Sequence, residues 1–187
     1  MKDFGFYVEG PKGDIYVPAA HEMRMLANDV TEQMIAAEYY PDMTLAIANG
    51  GIPVARDIEH FFAKLAGHVP EPASIKLQSY EETGSLQDTQ GDGIKLMNEI
   101  LPPHYNPKKV LIIDDMVDTG ETGDYALKWA KEKFGNEVDV RLGVLWWKEC
   151  SKITPDFFGE RVDPGWILLY KDFKDESYDE LYARRII

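Results

Sequence analysis

Residues 110–122 read Val-Leu-Ile-Ile-Asp-Asp-Met-Val-Asp-Thr-Gly-Glu-Thr, and no other stretch restricts the possible folds as tightly. Four consecutive apolar residues, Val110 to Ile113, suit a strand buried on both faces. Two carboxylates follow at once, Asp114 and Asp115, then Asp118, then the run Thr119-Gly120-Glu121-Thr122. Beyond it Ala126, Leu127, Ala130 and Phe134 recur at three- and four-residue steps, the spacing of a helix face. The order predicts a buried strand, a loop loaded with acids and hydroxyls, and a helix start. In open sheets of this kind ligands gather beyond the carboxyl ends of the strands. A helix start with a glycine and two threonine hydroxyls suits a phosphate, because its free N–H groups and dipole both attract an anion. Adjacent carboxylates suit sugar hydroxyls or a hydrated Mg2+.

The remainder of the chain supports the same architecture. Phe4–Val8 and Asp14–Val17 flank Gly10-Pro11-Lys12-Gly13 and predict a hairpin. Ala20 to Tyr39 reads as an amphipathic helix, with Met23, Ala27, Val30, Met34 and Ala37 on one face. Thr44–Ala48 predicts a buried strand, Asn49-Gly50-Gly51 a tight loop, and Ile52 to Ala66 a second helix. Ser74–Ser79 predicts another strand, and Ile94–Leu101 a strand or helix within a long polar stretch, 80–107. Val138–Trp147 and Trp166–Tyr170 read as strands and Asp175–Arg185 as a closing helix, whereas Lys148–Pro164 looks irregular. Strands alternating with helices predict an α/β fold, a doubly wound and mostly parallel sheet.

Composition narrows the functional classes. A length of 187 residues suits a single domain. No apolar run approaches the ~20 residues of a membrane span, and the first residues lack a signal-peptide core, so a cytoplasmic protein with no membrane partner is expected. Cys150 is alone and His21, His60, His68 and His104 are scattered, which excludes an internal disulfide and a zinc spacing. A net charge of −13 argues against a nucleic-acid partner. The same charge is awkward for a polyphosphate ligand unless Mg2+ bridges acids and phosphates.

Paired acids after a strand also occur in receiver domains and phosphatases, but the thirteen residues together resemble the phosphoribosyl pyrophosphate signature of the type I phosphoribosyltransferases. Four further segments follow in the order of that family's 6-oxopurine branch, the xanthine-guanine and hypoxanthine enzymes. The resemblance implies that Asp114 and Asp115 take the ribose hydroxyls and share in holding Mg2+. It implies that Thr119, Gly120, Glu121 and Thr122 seat the 5′-phosphate, and that Asp118 is the general base beside the purine N7. Asn49, Gly50 and Gly51 fall in the pyrophosphate loop, where family members often carry a cis non-proline peptide. Arg or Lys is common in relatives where Asn49 stands. Ser79 and Tyr80 match the start of the mobile catalytic loop. Lys148 matches a lysine that donates to the 6-oxo group, Trp166 a stacking residue, Ile167 a backbone contact to the base edge, and Asp172 an acid near a second Mg2+. A base-binding hood would comprise about residues 148–174 and the N-terminal segment.

The implied activity is transfer of 5-phosphoribose from phosphoribosyl pyrophosphate to guanine, xanthine or hypoxanthine, in a homodimer or homotetramer that uses Mg2+. Two alternatives stay open on sequence grounds. Asn49, the acidic loop and the high negative charge favour a non-catalytic nucleotide sensor on the same fold. A phosphoribosyltransferase for another base is the second alternative.

Overall fold

The computed structural model describes residues 5–10, 13–79, 93–162 and 166–167. The chain divides into two compact units, residues 24–164 and a smaller one formed by residues 1–23 with 165–187. In the smaller unit β1 (Phe6–Gly10) pairs antiparallel with β2 (Gly13–Val17), the hairpin that its glycines predict. β9 (Trp166–Ile167) then pairs parallel with β2, matching Ile15 to Trp166 and Tyr16 to Ile167. The Tyr16 hydroxyl sits 2.6 Å from the buried Glu22 carboxylate and accepts the Gly5 N–H.

The larger unit holds a six-stranded sheet. Its strands are β3 (Met43–Ala48), β4 (Glu71–Ser79), β5 (Ile94–Ile100), β6 (Lys109–Val117), β7 (Asp139–Lys148) and β8 (Phe157–Val162). They lie in the order β5-β4-β3-β6-β7-β8, parallel throughout except for the antiparallel β4–β5 pair. The α/β, mostly parallel fold is as the sequence pattern predicts. The helices are α1 (Ala20–Ala36), α2 (Gly51–Ala66) and α3 (Glu121–Phe134). Among the described residues no helix is long and apolar enough to cross a membrane.

The centre of the sheet is β6, where Val110, Leu111, Ile112 and Ile113 are all fully buried. Each such side chain contributes about 1.5–3 kcal/mol of burial free energy. Val110 and Ile112 share a core with Ala126 and Ala130 of α3. The alternation of a strand turns Leu111 and Ile113 to the opposite face, so helices cover both sides and a continuous apolar run is required.

Three segments depart from expectation. α1 stops at Ala36 rather than Tyr39: Glu38 takes a positive φ of 52°, and the turn frees Tyr39 to enter the core. β6 runs on to Val117, so Asp114 and Asp115 lie in the strand and the loop begins only at Asp118. The ladder to β7 continues alongside, matching Asp114 to Val144 and Val117 to Trp147, and keeps the backbone extended. Residues 157–162, expected to be irregular, form the edge strand β8 on β7, with Phe158 against Trp147. Its Gly159 and charged Glu160 and Arg161 hide a strand signal, yet a glycine is required there, because a Cβ would strike Leu26 and the Leu145 carbonyl.

Candidate active site

The carboxyl ends of β3, β6 and β7 carry most candidate residues of the larger unit, and β4 ends at Ser79. β3 ends at Ala48, and the Ala48–Asn49 peptide, which leads into the loop the resemblance singles out, is cis. Asn49 is exposed and Gly50 buried. Both glycines are dictated by close approach. A Cβ on Gly50 would overlap the Asp115 carboxylate, and one on Gly51 would overlap the Ile113 carbonyl. The loop after β3 is therefore pressed directly onto β6, and α2 can start there only without side chains. The cost of Gly in helical backbone, about 1 kcal/mol relative to Ala, is accepted for that contact.

The two signature acids sit differently. Asp115 is fully buried, whereas Asp114 is half-buried and accepts the Asp115 N–H at 2.9 Å. Beyond Val117 the loop opens. Asp118 and Thr119 are exposed, Gly120 takes a φ of 91°, and α3 begins at Glu121. No side chain caps α3 at Gly120, and the Glu121 N–H reaches Thr119 Oγ1 only at a long 3.4 Å. A helix start without a side-chain cap is the kind of backbone that can offer its N–H groups to an anion.

Lys148, the last residue of β7, is buried, yet its Nζ lies 2.9 Å from Asp118 Oδ2. A buried ammonium needs a partner, and the more exposed Asp118 supplies it. The β7–β8 connection then folds back onto the loop after β6. The Lys152 N–H donates to the Thr119 carbonyl at 3.0 Å, and its ammonium lies 2.8 Å from Glu121 Oε1. Gly120 allows this, since a Cβ would meet Ser151 Oγ and Ile153. At the far end of the connection the Asp156 carboxylate accepts the Leu142 N–H at 2.9 Å.

Asn49, Gly50, Gly51, Asp114 and Asp115 thus converge at the β3–β6 junction, and Asp118, Thr119, Gly120, Glu121, Thr122 and Lys148 at the β6–β7 junction. Ser79 ends β4, opposite Ile94 of β5. Ile167 is buried in β9 of the other unit, beside Trp166 in the strand. Tyr80 and Asp172 lie outside the described residues. Among the described residues no group of three or more His, Cys, Asp or Glu side chains could hold a metal. Sequence reasoning missed Lys152. Its signal was the four-residue spacing from Lys148 and the glycine at 120, which makes room for the returning residues 151 and 153.

Comparison with known proteins agrees with the geometry. The model of the phosphoribosyl transferase domain family matches residues 17–175. Xanthine phosphoribosyltransferase 1 of Saccharomyces cerevisiae is 28% identical over 130 residues, 64% of this chain and 62% of the yeast protein's length. The chain thus spans less than two thirds of that relative. The hypoxanthine-guanine phosphoribosyltransferase of Canis lupus familiaris is 26% identical over 167 residues, covering 83% of this chain and 71% of the canine one. Among solved structures, the Helicobacter pylori xanthine-guanine-hypoxanthine phosphoribosyltransferase superposes with a TM-score of 0.68 at 20% identity. That superposition covers 90% of this chain and 99% of the other.

Proposed function

This chain belongs to the phosphoribosyl transferase domain family, and from that premise we propose that it transfers 5-phosphoribose from phosphoribosyl pyrophosphate to a 6-oxopurine, releasing pyrophosphate. The observation that carries this reading is the Lys148–Asp118 pair, a donor and an acceptor 2.9 Å apart at the end of β7 and the start of the loop after β6. A ligand edge that presents an acceptor beside a donor can take the place of the pair. The 6-oxo oxygen and protonated N7 of guanine, hypoxanthine or xanthine form such an edge. Lys148 donates to the oxygen, Asp118 accepts from the ring nitrogen, and the buried ammonium keeps a partner throughout. The relatives support the substrate class. The yeast protein is named for xanthine, the canine one for hypoxanthine and guanine, and the Helicobacter one for all three.

In the proposed reaction the 5′-phosphate rests on the N–H groups and hydroxyls of residues 119–122, and Asp114 holds the ribose hydroxyls. Gly50 and Gly51 bring main-chain groups to the pyrophosphate, while Asp115 braces their loop against β6. The bond from C1 of the ribose to pyrophosphate breaks as a ring nitrogen bonds to that carbon. Asp118 removes the proton the ring must lose. The hard oxygen donors Asp114 and Asp115 fit Mg2+ only in company with ligand oxygens, since they are two. An ion held there would supply charge neutralisation at the leaving group, and the role of Asp172 toward a second Mg2+ rests on the sequence resemblance alone. Trp166 stacking and Ile167 edge contacts rest on the sequence resemblance alone.

A panel of guanine, hypoxanthine, xanthine and adenine with phosphoribosyl pyrophosphate and Mg2+, read by pyrophosphate release, tests the proposal. Release with a 6-oxopurine and not with adenine is expected. Adenine as the fastest base would overturn the substrate class. Nucleotide binding without turnover of any base would move the chain to a sensor.

A further inference from the structure

Three acids crowd the phosphate loop, Asp118, Glu121 and Asp124, and each is answered by a lysine. Lys148 lies 2.9 Å from Asp118, Lys152 2.8 Å from Glu121, and Lys128 2.6 Å from Asp124. A chain with net charge −13 thus compensates acids where a dianionic phosphate would otherwise be repelled. The three pairs differ in what they can release. Lys148 is buried, and Lys128 pairs within α3 across one turn. Lys152, like Lys148, reaches in from another segment, but it is exposed and touches the loop twice. Its N–H holds the Thr119 carbonyl and its ammonium holds the Glu121 carboxylate, so the residue straddles Gly120. Ser151 and Ile153 on either side would be displaced by any side chain at 120.

The geometry points to Lys152 as a further phosphate-binding residue, one that exchanges Glu121 for the 5′-phosphate when sugar phosphate enters. This rests on the phosphoribosyltransferase reading above. The pair is exposed, with 73% of the Lys152 side chain and 51% of the Glu121 side chain open to solvent. Exposed pairs are worth about 0–1 kcal/mol, so giving one up is cheap. A phosphate on the open N–H groups of α3 is the stronger acceptor, because charge-assisted bonds to it add to the helix field. Glu121 keeps the ammonium at the loop until then, and the main-chain bond at Thr119 keeps the stem in place afterwards. The role is one of affinity and position, with no proton moved and no bond formed.

Calorimetric titration of ribose 5-phosphate and steady-state kinetics in phosphoribosyl pyrophosphate test this on Lys152→Met, Lys152→Arg and Lys128→Met. Lys152→Met is expected to weaken ribose 5-phosphate binding roughly tenfold, the worth of one charge-assisted hydrogen bond. KM for phosphoribosyl pyrophosphate should rise alongside, with kcat within about twofold, the pattern of lost uniform binding. Lys152→Arg should recover most of the affinity. Lys128→Met removes the same charge from the helix flank and should stay within about twofold of the unmutated protein. Unchanged affinity in Lys152→Met, or an equal loss in Lys128→Met, overturns the assignment, the latter because net charge alone would then explain the effect. Failure of the underlying reading looks different: the unmutated protein would bind no ribose 5-phosphate and release no pyrophosphate with any base.

Discussion

The two ends of the six-stranded sheet solve the same problem in opposite ways. At the amino end, polar groups are tied to backbone. The Tyr39 hydroxyl donates to the Val110 carbonyl at 2.8 Å and contacts the Asp139 carbonyl at 3.1 Å. The Asp42 carboxylate accepts the N–H groups of Lys108 and Lys109. Arg141, which stacks 4.3 Å over the Tyr39 ring, departs from this pattern by pairing with the Asp139 side chain. At the carboxyl end, charged side chains are tied to each other, Lys148 to Asp118 and Lys152 to Glu121. A backbone partner cannot leave without unravelling a strand, whereas a side-chain partner can be traded for a ligand. Under the proposed function, the difference separates the end that holds the fold from the end that would bind.

The largest effect expected from breaking this comparison is at Asp118. Asp118→Asn keeps the shape and an oxygen for Lys148 but removes the base. Turnover should fall roughly 10²–10⁴-fold, the range of general-base contributions, with the melting temperature little changed. An unchanged rate removes Asp118 from the chemistry, and lost sugar-phosphate affinity with normal turnover reassigns it to binding.

Next in size is Lys148→Ala. Loss of a buried donor should weaken guanine, hypoxanthine and xanthine by about 1–3 kcal/mol and narrow their advantage over adenine. Dissociation constants for the four bases measure this. A uniform loss across all four would make Lys148 a packing residue.

At the opposite end, Tyr39→Phe should leave kinetics untouched and lower stability by about 1–2 kcal/mol, which is roughly 2–8 °C of melting temperature at this chain length. Altered KM or kcat in this variant would blur the division between the two ends.

The smallest effect sharpens the same point through pH. Burial, with help from Asp139, raises the Tyr39 phenol well above its ordinary 10.0. The folded state therefore keeps the proton above pH 10 while the unfolded chain loses it, so the unfolded state binds fewer protons there and stability falls as pH rises. Below 10 the contribution is constant. Denaturant melts at increasing alkaline pH should fall less steeply for Tyr39→Phe, and identical slopes would contradict the buried, proton-holding phenol.

Much of the site was readable from residues 110–122, because a buried strand, paired acids and a glycine-led helix start each have one economical structural solution. Lys148 was readable as a strand-end cation. Its pairing with Asp118 was not, since it depends on β6 and β7 lying side by side, and nothing local reports which strands are neighbours. The same blindness hid Lys152, which acts on a loop about thirty positions away. The reach of β6 to Val117 was obscured by acids of low strand propensity that the β7 ladder overrides. β8 escaped notice because an edge strand tolerates the glycine and charges that a central strand would not.

The central claim is that the carboxyl end of the sheet seats a sugar phosphate and reads a 6-oxo base. A crystal structure of the protein with guanosine monophosphate tests it most directly. The expected result is the phosphate on the N–H groups of Thr119 to Thr122, with the base edge between Lys148 Nζ and Asp118 and their pair opened. A phosphate bound elsewhere, with the Lys148–Asp118 pair intact at 2.9 Å, would contradict the account.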